Sequence, residues 1–72
     1  MTYGEALRHL MRECGIEQAE LARRIGRSRS YVSQLMSGKV KEPTLSAAYA
    51  IADALGVEVQ TFLDLMHDDE EV

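Results

Sequence analysis

Three residues, Gly26-Arg27-Ser28, separate two short amphipathic stretches, and no other feature limits the fold of this 72-residue chain so tightly. Ahead of them, Leu21, Ala22 and Ile25 mark the inward side of a helix expected from about Glu17 to Ile25. Behind them, Ser28 is a good N-cap for a helix from about Arg29 to Ser37, with Val32, Leu35 and Met36 inward. A turn that short fixes the two helices at a steep angle. Ala22 is small where the later helix must approach the earlier one closely, and Gly26 accepts the positive φ that the turn requires.

The flanking segments extend the pattern to five helices. Thr2-Tyr3-Gly4-Glu5 fits a capping box, and Leu7, Leu10, Met11 and Cys14 then recur at helical spacing up to Gly15. Thr44 caps a fourth helix with Leu45, Ala48, Ile51, Ala52 and Leu55 as its stripe, ended by Gly56. A fifth, from about Val59 to Met66, carries Val59, Phe62, Leu63 and Met66 on one face. Val57-Glu58-Val59 is too short to count as a strand. The expected fold is all-α, a compact five-helix domain over 1–66, followed by an acidic, disordered tail over 67–72. So short a chain buries only about 60% of its unfolded surface, which leaves a thin margin of stability.

Charge looks adverse to nucleic acid at first, since eight Lys and Arg against twelve Asp and Glu leave −4. Its distribution reverses that impression. Asp64, Asp68, Asp69, Glu70 and Glu71 put −5 on residues 64–72, leaving +1 on the rest. Residues 17–43 hold six bases (Arg23, Arg24, Arg27, Arg29, Lys39, Lys41) against Glu17, Glu20 and Glu42, or +3. A local basic face can bind a polyanion on an acidic molecule, because screening limits each charge to about 10 Å at 0.1 M salt.

Other chemistries find little support. The one cysteine, Cys14, lies in the first stripe and is expected as a buried thiol, with a redox sensor as the alternative; it allows no internal disulfide. His9 and His67 are far apart with no ligand cluster near either, so no metal is expected. No Gly-rich phosphate loop occurs, no motif places a histidine or acid beside the serines, and neither a cofactor nor an enzymatic activity is expected. The longest apolar run, Ala47 to Ala52, is far short of the roughly 20 residues that span a bilayer. Nothing in the first five residues resembles a signal peptide. The expectation is a soluble, cytoplasmic protein with no membrane partner.

Gln18-Ala19-Glu20-Leu21-Ala22-Arg23-Arg24-Ile25-Gly26, then Ser28 to Lys39, resembles the helix-turn-helix of phage Cro and repressor proteins, the XRE-type family. The resemblance continues through Pro43, Leu45, Ile51-Ala52, Leu55-Gly56-Val57 and Phe62-Leu63, covering roughly residues 5–65. It implies that the third helix enters the major groove of double-stranded DNA. Subtracting the inward residues leaves Arg29, Ser30, Ser33 and Gln34 to read bases, since Arg forks onto guanine and Gln onto adenine. Gln18, Arg27, Tyr31, Ser37, Lys39 and Lys41 are the implied contacts to the DNA backbone. Glu17 stands where the family has Ser, Thr or Asn, and its carboxylate repels phosphate. Met11 and Met36 stand where many members pair an arginine with an acid. Apolar packing is expected there instead, a swap that can be neutral or stabilising.

Ala47, Ala50 and Ala54 lie off the main stripe of the fourth helix, making its circumference almost wholly apolar, as in a helix buried on two sides. Alanine is also simply a strong helix former. In the family, dimers commonly form near the fifth helix, so the resemblance implies Val57, Val59, Phe62, Leu65 and Met66 as the homodimer interface. The implied function is a transcription regulator, a dimeric repressor that occludes its promoter, with no effector domain expected in 72 residues. The alternative is a protein-interaction module of the antitoxin or phage-regulatory kind, whose fourth and fifth helices hold a protein partner such as a toxin. The acidic tail reads as a solvated terminus, or else as a DNA-mimicking or partner-binding segment.

Overall fold

A computed structural model describes residues 1–39 and 44–67. Lys41 and the tail residues 68–72 therefore lie outside the described residues. The described residues form five helices, in order α1 (Tyr3–Cys14), α2 (Gln18–Ile25), α3 (Arg29–Ser37), α4 (Leu45–Leu55) and α5 (Val59–His67). The described residues contain no strand.

Local chemistry sets the helix ends. At Thr2 both halves of the capping box form: Glu5 N donates to Thr2 Oγ1 at 3.2 Å, and Thr2 N donates to Glu5 Oε1 at 3.0 Å. Ser28 Oγ accepts from Tyr31 N and Thr44 Oγ1 from Ala47 N, both at 3.1 Å. Each such cap contributes about 1 kcal/mol. Gly26 closes α2 at φ 71°, a left-handed conformation that side chains avoid. Its N–H and that of Arg27 both reach back to Ala22 O, so the turn begins without orphaning α2's last carbonyls.

The core forms where the five helices converge. Leu7 of α1, Leu21 of α2, Val32 and Leu35 of α3, Ile51 of α4 and Phe62 of α5 are its largest fully buried side chains. α3 packs on α1 and α2, while α4 and α5 close the far side against α1, α2 and each other. The Tyr3 ring meets Phe62 edge-on, centroids 4.9 Å apart. Gly4 lets α1 lie directly on the last turn of α3. A Cβ there would stand 2.5 Å from Met36 O and 2.8 Å from Leu35 O.

Several inward assignments need correction. Cys14 is exposed, its Sγ donating to Leu55 O at 3.4 Å, and Leu45 is 61% exposed. Both sit at a helix end. Periodicity gives the angular position of a residue around its helix but not whether a neighbouring element extends over that turn. Ile25, Met36, Val59, Leu63 and Met66 are half-buried rather than enclosed. Nor is α4 covered all round: Ala50 and Tyr49 are exposed. Phe62, expected at a dimer interface, is fully buried in the chain's own core, because α5 turns that residue into the convergence point.

Candidate nucleic-acid interface

α3 has two sides of opposite character. Val32 and Leu35 anchor one in the core, while Arg29, Ser30, Ser33, Gln34 and Ser37 are all exposed on the other. The helix therefore presents a polar row on a rigidly held scaffold. Burial of Val32 and Leu35 fixes its rotation about its own axis, since turning the row inward would expose both; each buried side chain of this size is worth about 1.5–3 kcal/mol.

The first turn of α2 lies beside this row. Gln18, half-buried, lines an open depression together with Arg29, Glu17, Ala19, Met11 and Met36. Met11 is buried and Met36 half-buried, so two thioether side chains form the apolar part of this floor. Glu17 is the N-cap but makes no side-chain capping hydrogen bond. The leading amides of α2 thus have no side-chain cap, at the end of the helix that favours anions.

The bases divide into two groups that the sequence did not distinguish. Glu20 pairs with both Arg23 and Arg24, the latter at 2.7 Å, and Arg24 Nη1 also donates to Ala54 O at 2.7 Å. Hydrogen bonds from Arg23 and then Arg24 hold the Glu20 carboxyl below its usual range. These charges tie α2 together and tether it to the end of α4. Among the described bases of residues 17–43, those not paired with Glu20 are Arg27, Arg29 and Lys39, all exposed. The Arg27 guanidinium lies 4.3 Å from the Tyr31 ring centroid, an attraction of about 0.5–1 kcal/mol at an exposed site. Among the described residues, Arg29 and Lys39 have no ion-pair partner. Ser37 is exposed, yet its hydroxyl donates to Gln34 O at 3.2 Å, so its proton is already engaged within α3.

Three residues at this end of the molecule escaped sequence reasoning. Gly4 sets the contact of α1 with α3, and its only sequence signal is a glycine inside a helix, which asks for a packing reason. Arg8 Nη2 donates to Met36 O at 3.4 Å from α1. Among the described residues the buried hydroxyl of Tyr3 has no hydrogen-bond partner; burial, with a smaller contribution from Tyr31, pushes it up to about 12. On the far side, Val57, Val59, Leu65 and Met66 are half-buried and packed against the core. Among the described residues no three His, Cys, Asp or Glu side chains gather to hold a metal, and no helix is long and apolar enough to cross a membrane.

No curated protein is similar enough to the chain to count as a match. A family model described as a helix-turn-helix domain matches residues 2–65, from the α1 cap into α5. That span takes in both the short Gly26 turn and the helices that hold α3 against the core. The chain belongs to the helix-turn-helix domain family, a family of DNA-binding modules.

Proposed function

We propose that the chain is a sequence-specific, double-stranded DNA-binding transcription regulator acting as a dimeric repressor in the cytoplasm. The observation that carries this reading is the exposed row Arg29, Ser30, Ser33 and Gln34 on a helix locked by Val32 and Leu35. Inserted in the major groove, Arg29 forks onto guanine O6 and N7, Gln34 pairs with adenine N6 and N7, and the serines adapt beside them. Gln18, Arg27, Tyr31, Ser37, Lys39 and Lys41 hold phosphate oxygens and set the register without reading sequence. The Ser37 hydroxyl turns away from Gln34 O to do so.

Dimerisation uses the partly exposed apolar side chains Val57, Val59, Leu65 and Met66, placing two copies of α3 one helical turn apart on a two-fold operator. Repression is then occlusion of a promoter. A second reading has its own support: among the described residues, Leu45 at 61% and Tyr49 at 56% exposure are the large exposed apolar residues, both on α4. They suit a protein partner of the toxin kind bound to the α4–α5 side, which leaves α3 available to DNA.

Selection of bound sequences from randomised duplex DNA at near-physiological salt tests the proposal. Enrichment of a two-fold motif with half-site centres about 10 bp apart is expected. Enrichment of nothing, with affinity no tighter than about micromolar, refutes it and turns the search to a protein partner.

A further inference from the structure

The guanidinium of Arg8 stands at the end of α3, although the residue belongs to α1. Gly4 makes this possible. Because no Cβ intervenes, the first turn of α1 rests on the carbonyls of Leu35 and Met36. Arg8, four residues on and so on the same side of the helix, comes level with them. Its Nη2 donates to Met36 O at 3.4 Å, and the side chain remains exposed.

That bond is long and uses one of the five N–H donors of an arginine. Arg8 shares an open depression with Thr2, Glu5, Ser37 and Gly38, and Lys39 follows directly in the chain. The acid in this group, Glu5, accepts from Thr2 N at 3.0 Å within its own helix cap. Two cations from different elements, Arg8 and Lys39, thus flank the end of the row that faces bases. Anionic oxygens arranged as in a phosphodiester suit an exposed guanidinium, which can take two of them at once.

We infer that Arg8 binds a DNA phosphate, extending the backbone-holding residues from α3 and its following loop onto α1. The inference rests on the DNA-reading proposal above and adds a contact that neither the turn nor the recognition helix supplies. Arg8 acts on the strand as a charge. Its bond to Met36 O orients the side chain.

The test measures affinity against salt between about 50 and 200 mM, for the selected duplex and for a random duplex. With Arg8→Gln, the slope of log K against log salt falls by about 0.9 on both duplexes, which weaken by the same factor. Arg8→Lys, which keeps the charge without the fork, retains the wild-type slope; unchanged melting of both variants shows that the fold is intact. An unchanged slope in Arg8→Gln overturns the inference. So does a loss confined to the selected duplex, which would make Arg8 a support for α3 acting through Met36 O. If Arg8→Gln fails to fold, Arg8→Met takes its place: a slope lower by about 0.9 on both duplexes supports the phosphate contact, and an unchanged slope overturns it. Should wild-type protein show no salt-dependent affinity for either duplex, the DNA-reading proposal itself falls, a result distinct from failure at Arg8.

Discussion

Replacing Gly4 with alanine sets two effects of opposite sign against each other. Alanine is the better helix former by up to about 1 kcal/mol, so on propensity alone the variant gains stability. Against this, the added Cβ would lie 2.5 Å from Met36 O and 2.8 Å from Leu35 O, where ordinary contact begins near 3.4 Å. Both obstacles are backbone atoms, so no flexible side chain can swing aside. α1 and α3 must part by roughly 0.9 Å at this point, and overpacking of this kind costs about 1–3 kcal/mol. The clash therefore wins by up to about 2 kcal/mol, which lowers the melting midpoint by up to roughly 16 °C in a domain of this size. Thermal unfolding followed by far-ultraviolet circular dichroism, with urea titration as a second measure, checks it. A Gly4→Ala variant that melts at or above the wild type would refute the reasoning, since propensity would then outweigh a contact that is not tight.

Other consequences follow from single groups. Tyr3 is an acid whose folded value, about 12, exceeds its unfolded 10.0, so the stability it contributes is complete below pH 10 and is lost as pH rises through 12. Discounted for the partial exposure of the group, this amounts to about 1–2 kcal/mol. Tyr3→Phe flattens that limb in urea titrations at pH 9 to 12 and, by removing an unpaired buried hydroxyl, leaves stability at pH 7 unchanged or higher by about 1 kcal/mol. Arg24→Gln removes the tether to Ala54 O and loses about 1 kcal/mol of stability, while the salt slope of DNA binding stays at its wild-type value. The segment from Thr44 to His67 carries Asp53, Glu58 and Asp64 and no Lys or Arg. If it pairs with its own copy, sedimentation equilibrium should show self-association strengthening between low and high salt while DNA affinity weakens; parallel weakening would count against that interface.

How much of this could be read from the letters depended on whether the governing chemistry was local. The Thr2–Glu5 box, the Ser28 and Thr44 caps and the Gly26 turn each depend on residues within a few positions, and all of them stand in the structure. The polar side of α3 was legible for the same reason, since period alone separates Val32 and Leu35 from Arg29 and Gln34. Questions of which element covers which turn were not. Cys14 and Leu45 continue their stripes faithfully yet sit exposed at helix ends that no described element covers. Phe62 looked like one more apolar residue of α5, but only the convergence of five helices makes it the centre of the core. The division of arginines was equally hidden: Arg24 and Arg8 reach carbonyls of Ala54 and Met36, 30 and 28 residues away along the chain.

The central claim is that α3 reads sequence while its neighbours hold the backbone, and the most direct measurement compares Arg29→Ala with Lys39→Ala. Each variant is titrated against the selected duplex and a random duplex of equal length at two salt concentrations. Arg29→Ala is expected to cost about 1–3 kcal/mol on the selected duplex and to relax preference at one base position. Lys39→Ala is expected to weaken both duplexes alike and to lower the salt slope by about 0.9. Equal losses on both duplexes for both variants would contradict the account, because α3 would then be supplying charge and not readout.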